Sequence, residues 1–224
     1  MTTKDDTSDS PSPIRVLHID DHAMFREGIA NALKRHFSCI DIHGSGTCHD
    51  GLELSWTQTW DLILLDISLG GRTGVDVLRD IRSQKKRVPV IILTAFPENY
   101  LAIRVFRLGA AAFVSKTAET EELVNAVRCV LSGRRFITPQ VAELLASQVA
   151  GDSTKAPHEL LSDREFVVLQ YLAAGRTVKE IGGMLDLSIK TISTYRSRIL
   201  AKMSLRTNAD LTRYCADNDL TGST

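Results

Sequence analysis

The 224-residue chain has no apolar run approaching the roughly 20 residues that span a bilayer. Its start, MTTKDDTSDSPSP, is polar and acidic where a secretory signal would be basic and then apolar. Cysteine is scarce: Cys39, Cys48, Cys129 and Cys215 lie far apart and form no C-x-x-C pair. A zinc site or disulfide framework is therefore not expected, and a reducing cytoplasm is. An excess of one charge is missing too, since 27 Lys plus Arg balance 27 Asp plus Glu. That excludes a globally basic nucleic-acid binder and leaves only a local patch as a route to that function. What remains is ordinary for a folded protein: 43% hydrophobic and 24% charged residues rule out a mostly disordered chain. The length suits one or two domains.

Residues 1–13 are rich in Ser, Asp, Thr and Pro without structural period and are expected to be a disordered tail. From residue 14 to 133, short apolar runs alternate with longer amphipathic stretches. The runs are Ile14–Ile19, Ile40–Ile42, Leu62–Leu65, Val90–Leu93 and Ala112–Val114. The helix-like stretches are Ala23–Phe37, Gly51–Thr59, Val75–Ser83, Asn99–Leu108 and Thr120–Leu131. Five strand–helix units imply right-handed crossovers and a parallel α/β sheet with helices on both faces. A weaker helical stretch, Thr138–Val149, leads into GDSTKAPH (Gly151–His158), so residues 134–158 are expected to link two domains. Beyond it no strand-like run appears. Ser162 and Glu165 make a capping box before Phe166–Ala174, and Thr177–Leu185, Ile189–Met203 and Asn208–Asn218 follow, so residues 159–220 read as a small all-α domain.

Four of the five expected strands end in a polar residue: Asp20-Asp21 after the first, Asp66 after the third, Thr94 after the fourth, Ser115-Lys116 after the fifth. In an open parallel sheet the carboxyl ends of the strands line one crevice. Three carboxylates, a hydroxyl and an ammonium are thus expected to meet there, although about 100 residues separate the first from the last. Three carboxylates so close need counter-charge. Lys116 supplies one, and a divalent cation is the natural remainder. Oxygen ligands suit Mg²⁺. Such a site would hold a phosphoryl group on an Asp66 oxygen, with the metal and Lys116 neutralising it and Thr94 donating a hydrogen bond.

The motifs I-D-D-H (Ile19–His22), L-L-D-I (Leu64–Ile67), L-T-A (Leu93–Ala95) and V-S-K (Val114–Lys116) resemble the bacterial two-component receiver domain. The resemblance implies a five-stranded flavodoxin-like sheet of order 2-1-3-4-5 and a phosphate-accepting Asp66. It also implies Mg²⁺ ligands Asp20, Asp21, Asp66 and the Ser68 carbonyl, a switch Thr94 and a phosphate-pairing Lys116. The family's aromatic switch position falls on Phe113, where Tyr is commoner, so the hydrogen bond of a Tyr hydroxyl is absent. In DISLGG (Asp66–Gly71), Gly70 stands where the family usually has Pro, which makes that loop more permissive.

In the helical half, Thr177–Leu185, a turn at Asp186-Leu187 and Ile189–Met203, with Ser188 as N-cap, read as a helix-turn-helix. Between Ser188 and Ala209 lie Lys190, Arg196, Arg198, Lys202 and Arg206 with no acid, a local +5 in a neutral protein. Periodicity sends Ile192, Ile199 and Met203 to the core. Ser193, Thr194 and Ser197 fall on the other side with Lys190, Arg196 and the polar edge of Tyr195. Small hydroxyls there can approach base edges while Lys and Arg hold phosphates. Leu161–Gln170, Ala174–Gly182 and Leu187–Ser193 (L-S-I-K-T-I-S) resemble the LuxR-type DNA-binding domain, and the whole chain resembles a NarL/FixJ-class response regulator. The implied DNA-contacting set is Lys190, Thr191, Ser193, Thr194, Tyr195, Arg196, Ser197, Arg198 and Lys202, with Asn208–Asn218 helping to form a dimer.

Two departures stand out. Gly182-Gly183 interrupts the scaffold helix where Ala is common at the first position; either close packing requires it or the domain is soft. Tyr195 replaces a commoner His. Trp56 and Trp60 read as packing residues, and the six histidines show no ligand spacing, with His22, next to the acidic pair, read as a helix start in preference to a pocket-lining residue.

The implied function is a transcription regulator, not an enzyme. A sensor histidine kinase or a small acyl phosphate would phosphorylate Asp66, and the protein would then bind promoter DNA as a homodimer, without membrane association. Two alternatives remain. An aspartyl-phosphate hydrolase would need a second carboxylate two residues after Asp66, where Ser68 stands. A phosphorylation-independent DNA binder would keep the pocket only as scaffold.

Overall fold

The computed structural model describes residues 12–69, 72–84, 87–95, 100–149, 156–218 and 220. The polar tail up to residue 11, Gly70 and residues 151–155 of the expected linker lie outside them.

Residues 14–131 alternate strand and helix: β1 (Ile14–Ile19), α1 (Ala23–His36), β2 (Ile40–Ser45), α2 (Cys48–Thr57), β3 (Leu62–Asp66), α3 (Gly74–Ser83), β4 (Val90–Thr94), α4 (Tyr100–Arg107), β5 (Ala112–Ser115) and α5 (Thr120–Leu131). All strand pairs are parallel and the order is β2-β1-β3-β4-β5. The near-continuous apolar runs are explained by burial on both faces. Leu17, Ile19, Ile63, Leu65, Ile92 and Phe113 join a core with α2, α3 and α4. Their strand neighbours Val16, Leu62, Leu64, Ile91, Leu93 and Val114 join another with α1 and α5.

Helix boundaries follow capping chemistry that periodicity alone overlooks. α2 starts at Cys48 and not at Gly51, because Thr47 accepts from the Asp50 amide. Thr73 and Asp76 form a capping box at α3. One tryptophan departs from expectation: Trp60 is buried and donates to the Leu54 carbonyl, but Trp56 is exposed.

α6 (Pro139–Val149) packs on α4. A 3-10 turn (Pro157–Leu160) then opens the helical unit of α7 (Asp163–Ala173), α8 (Val178–Met184), α9 (Ile189–Lys202) and α10 (Asn208–Asp217). His158, read from sequence as linker, is buried here against Phe166 and Tyr214, with Nδ1 2.8 Å from the Tyr214 hydroxyl. The Ser162–Glu165 capping box forms, and Ser188 caps α9 through the Thr191 amide. Between α8 and α9, Asp186 takes a left-handed conformation (φ 50°), which turns the chain sharply. Gly182 is required by close approach: a Cβ there would lie 2.8 Å from the Leu187 carbonyl oxygen. Gly183 has open space around its Cα and meets no such need.

The two halves share one hydrophobic core. Phe166, Val167 and Leu169 of α7 belong to the same cluster as the α3 and α4 side chains. Around it, Asp163 receives Arg79 Nη2 at 2.8 Å and Arg104 Nη1 at 3.1 Å, and Arg164 Nε reaches Asp76 at 3.2 Å. Arg104 also donates to the Leu161 carbonyl at 2.6 Å and lies 5.3 Å over the Phe166 ring.

Candidate functional site

Parallel pairing delivers the strand-end residues to one edge. Ile19 stands beside Leu65, Asp66 beside Leu93, and Thr94 beside Ser115. Asp20, Asp66 and Thr94 are fully buried there, and Asp21 and Lys116 border the opening. Lys116 Nζ lies 2.7 Å from Asp20 Oδ2 and 2.8 Å from Asp66 Oδ2. Asp20, Asp21, Asp66 and Lys116 therefore stand together, and Thr94 ends the neighbouring strand at the same edge.

Burial, with Asp20 adding to it, raises the Asp66 pKa, and the neighbouring ammonium pulls against that shift. Burial alone would lower Lys116, but Asp66 and Asp20 outweigh it and hold the ammonium above its usual range. The Asp66 side chain accepts from the Ser68 amide at 3.2 Å, which orients it at the strand end. The approach of α3 depends on a glycine: a Cβ at Gly74 would lie 2.2 Å from the Asp66 carbonyl oxygen.

One oxygen each from Asp20, Asp21 and Asp66, with a ring nitrogen of His22, lie within 4.8 Å of one another. Three hard carboxylates with a single ammonium between two of them are consistent with a Mg²⁺ site. His22 Nδ1 is 2.7 Å from Asp21 Oδ1, so this histidine stands both at the start of α1 and at the pocket.

Three participants escape sequence reasoning. His18 is wholly buried with Nε2 3.8 Å from Asp20 Oδ2. Burial lowers its pKa to about 4, with Asp20 opposing and Lys116 and Arg26 assisting, so the ring is neutral at pH 7. Arg26 Nη1 donates to the Asp20 carbonyl. Tyr171, from α7, lines the same cavity as Asp66 and Lys116. Its only sequence signal is an aromatic on a helix. Phe113, on β5, is fully buried in the core with α2–α4.

On α9 the sorting by periodicity is largely realised. Ile192 and Ile199 are buried and Met203 nearly so, whereas Lys190, Ser193, Thr194, Ser197 and Arg198 are exposed. Thr194 and Ser197 hydroxyls donate back to the Lys190 and Ser193 carbonyls, and Thr191 Oγ1 pairs with Ser188 Oγ at 2.8 Å. Three expected DNA-facing residues are engaged inside the protein. Lys202 Nζ lies 2.6 Å from Glu165 Oε2. Arg196 Nε donates to Asn208 Oδ1 at 2.6 Å. Tyr195 is half-buried in the seam between the halves, bonded to the Arg164 side chain, and does not present its edge on the open face.

Comparison with known families now decides the identity. The family profile described as Response regulator receiver domain matches residues 16–128, and that described as Bacterial regulatory proteins, luxR family, matches residues 159–215. The chain belongs to the NarL/FixJ class of response regulators. It is 35% identical over 201 residues to response regulator UvrY of Escherichia coli K12, covering 89% of this chain and 92% of that protein. It is 32% identical over 200 residues to response regulator GacA of Pseudomonas aeruginosa PAO1, covering 88% and 93%. The solved structure of Salmonella RcsB bound to promoter P1flhDC shares the fold, with TM-score 0.63 at 22% identity over 92% of this chain and all of that one. As a receiver joined to a LuxR-type DNA-binding domain, the protein is a two-component transcription regulator. Among the described residues, no helix is long and apolar enough to cross a membrane.

Proposed function

We propose that this regulator is switched by transfer of a phosphoryl group to Asp66. The observation that carries the reading is the buried Asp66 carboxylate held 2.8 Å from Lys116 within a tight group of oxygen donors. Asp20, Asp21, Asp66 and the Ser68 carbonyl would hold Mg²⁺, which supplies charge neutralisation for phosphoryl oxygens. An Asp66 carboxylate oxygen forms the new bond to phosphorus. The bond from phosphorus to the acyl oxygen of a small donor breaks, and that carboxylate leaves with the electron pair. From a sensor histidine kinase the phosphorus–nitrogen bond breaks instead, and the imidazole leaving group takes up a proton. Lys116 then turns from bridging Asp20 and Asp66 to pairing with the phosphoryl oxygens, and the Thr94 hydroxyl donates to one of them. Phe113 follows by repacking, having no hydroxyl of its own.

The added charge, close to two negative units, releases the helical domain, which dimerises through α10 and binds promoter DNA. Lys190 and Arg198 hold phosphates while Ser193, Thr194 and Ser197 meet base edges. Thr191 stands at the start of that surface. Tyr195, Arg196 and Lys202 reach DNA only after exchanging their present partners. The test is labelling by acetyl phosphate with Mg²⁺, read by intact mass, alongside affinity for a duplex selected from random sequence. Label and an affinity gain that both vanish in Asp66→Asn or with EDTA support the reading; label that persists in Asp66→Asn overturns it.

A further inference from the structure

The cavity over Asp66 is built by both domains. Its volume is about 510 Å³. Asp66, Ser68 and Lys116 line one side, and Tyr171 of α7 with Gly183 and Met184 of α8 line the other. Tyr171 borders the same cavity as Ser68, two residues from the phosphoacceptor. Burial raises the Tyr171 pKa, Ser68 pulls against the shift, and Asp66 and Asp21 add to it, so the phenol stays protonated and neutral at the mouth of an acidic pocket. The arrangement is held from outside by the Arg79–Asp163, Arg104–Asp163 and Arg164–Asp76 pairs at one end of α7.

The space over Asp66, about 510 Å³, is partly open to solvent. It is ample for a metabolite, since pockets of roughly 300–1,000 Å³ enclose drug-sized ligands. A donor histidine carried on an α-helix, about 10–12 Å across with its side chains, would have to approach Asp66 past the wall that Tyr171, Gly183 and Met184 form. We infer that the DNA-binding domain sets donor specificity at Asp66: with the domains closed, Tyr171 and Met184 admit acyl phosphates of metabolite size and exclude a protein phosphohistidine, which gains access only when the domains part. The inference rests on Asp66 being the phosphoacceptor. By population shift, anything that binds the parted form, a DNA duplex included, raises the share of molecules open to a protein donor.

The experiment uses the full chain and two donors. One is acetyl phosphate. The other is an autophosphorylated sensor-kinase fragment chosen because it labels the wild type measurably. Tyr171→Ala, Met184→Ala and the clasp variant Arg104→Ala are compared with wild type for initial rates of labelling. Met184 is half-exposed on its helix, and Arg104 is a receiver residue with no catalytic part, so these two keep the test valid if Tyr171→Ala fails to fold. Each variant is expected to speed transfer from the kinase fragment about tenfold or more, as a shift of the closed–open ratio of that size requires, with acetyl phosphate labelling changed less than about twofold. Equal gains with both donors would assign Tyr171 to the chemistry and overturn the access reading, as would kinase rates unchanged in all folded variants. Failure of the underlying reading looks different: acetyl phosphate would label Asp66→Asn and wild type alike.

Discussion

Arg104→Ala is the most informative single change, because this side chain belongs to the receiver but spends its donors on the other domain. In the closed form its guanidinium gives a charge-assisted bond to Asp163 at 3.1 Å, bonds to the Leu161 and Glu159 carbonyls at 2.6 and 3.3 Å, and covers the Phe166 ring. The side chain is only 18% exposed, so these contacts are partly shielded from water. Hydrogen bonds to charged groups contribute about 1.5–3 kcal/mol each, and a partly desolvated cation–π contact about 1. Opening returns the guanidinium to water, and Asp163 keeps Arg79 in the variant, so the sum must be discounted. About 3 kcal/mol lost from closure is a fair expectation, a factor of roughly a hundred in the closed–open ratio.

The assay is energy transfer between dyes placed on the exposed faces of α5 and α10, with duplex affinity measured on the same preparations without a phosphodonor. The variant is expected to show a larger dye separation and an affinity gain of up to about a hundredfold, saturating once the open form dominates. Arg104→Lys, which keeps charge but loses the planar fork, should fall between. Combining Arg104→Ala with Asp163→Ala should give less than the sum of the two, since both remove one contact. An unchanged dye separation together with affinity within about twofold of wild type would refute the assignment of the clasp.

Gly183→Ala should stabilise the helical domain by about 0.5–1 kcal/mol, since its Cβ meets open space. Gly182→Ala should destabilise it by about 1–3 kcal/mol through the clash with the Leu187 carbonyl; urea unfolding reads both. Burial lowers the His158 pKa from 6.5 to about 4, with Glu159 opposing and Arg104 assisting. The unfolded chain therefore binds the proton first, and stability is lost as pH falls from 6.5 toward 4, about 2 kcal/mol of it between pH 7.5 and 5. In urea titrations at the two pH values, His158→Phe should lose about 2 kcal/mol less than wild type, the similarly shifted His18 keeping its own share of the loss. Lys190→Ala should weaken binding to all duplexes alike and lower the salt slope by about one unit, whereas Thr194→Ala should change which selected sequences are preferred; a uniform loss from the latter would contradict a base contact. Thr94→Ala should leave acetyl phosphate labelling of Asp66 measurable while the dye separation no longer responds to it.

What the sequence revealed of the site follows from how parallel sheets are made. Strands buried on both faces are continuous apolar runs, so a polar residue ending such a run marks the sheet edge, and Asp20, Asp66, Thr94 and Lys116 could be gathered before any coordinates. Residues whose role is set by a distant element left no such mark. His18 sits in mid-strand and reads as a polar interruption, although it packs under Asp20. Gly74 reads as an ordinary helix start, although its missing Cβ lets α3 meet the Asp66 backbone. Periodicity places Lys202 and Tyr195 on faces of α9 but says nothing of Glu165 or Arg164 waiting on α7. Tyr171 lies 105 positions from Asp66 in the chain, in a different domain, with nothing local to connect them.

The same geometry explains how a charge at Asp66 can reach a helix that reads DNA. Two structural links run from the pocket to the domain seam. One is direct, since Tyr171 and Ser68 border the same cavity and a rearrangement of the loop after β3 reshapes it. The other runs through α4, which begins six residues after Thr94 and carries Arg104 one turn beyond buried Leu101. A hydrogen bond near 3 Å is largely lost once donor and acceptor part by about 0.6 Å or the angle collapses. A movement of Thr94 toward a phosphoryl oxygen, passed to α4, therefore needs only sub-ångström amplitude to break the Arg104 fork. The interface is well suited to such a trigger because its polar contacts concentrate on the first turn of α7. Asp163 and Arg164 hold Arg79, Arg104 and Asp76 there, so losing one contact weakens the hold on the whole helix and, with it, on Tyr195 in the seam.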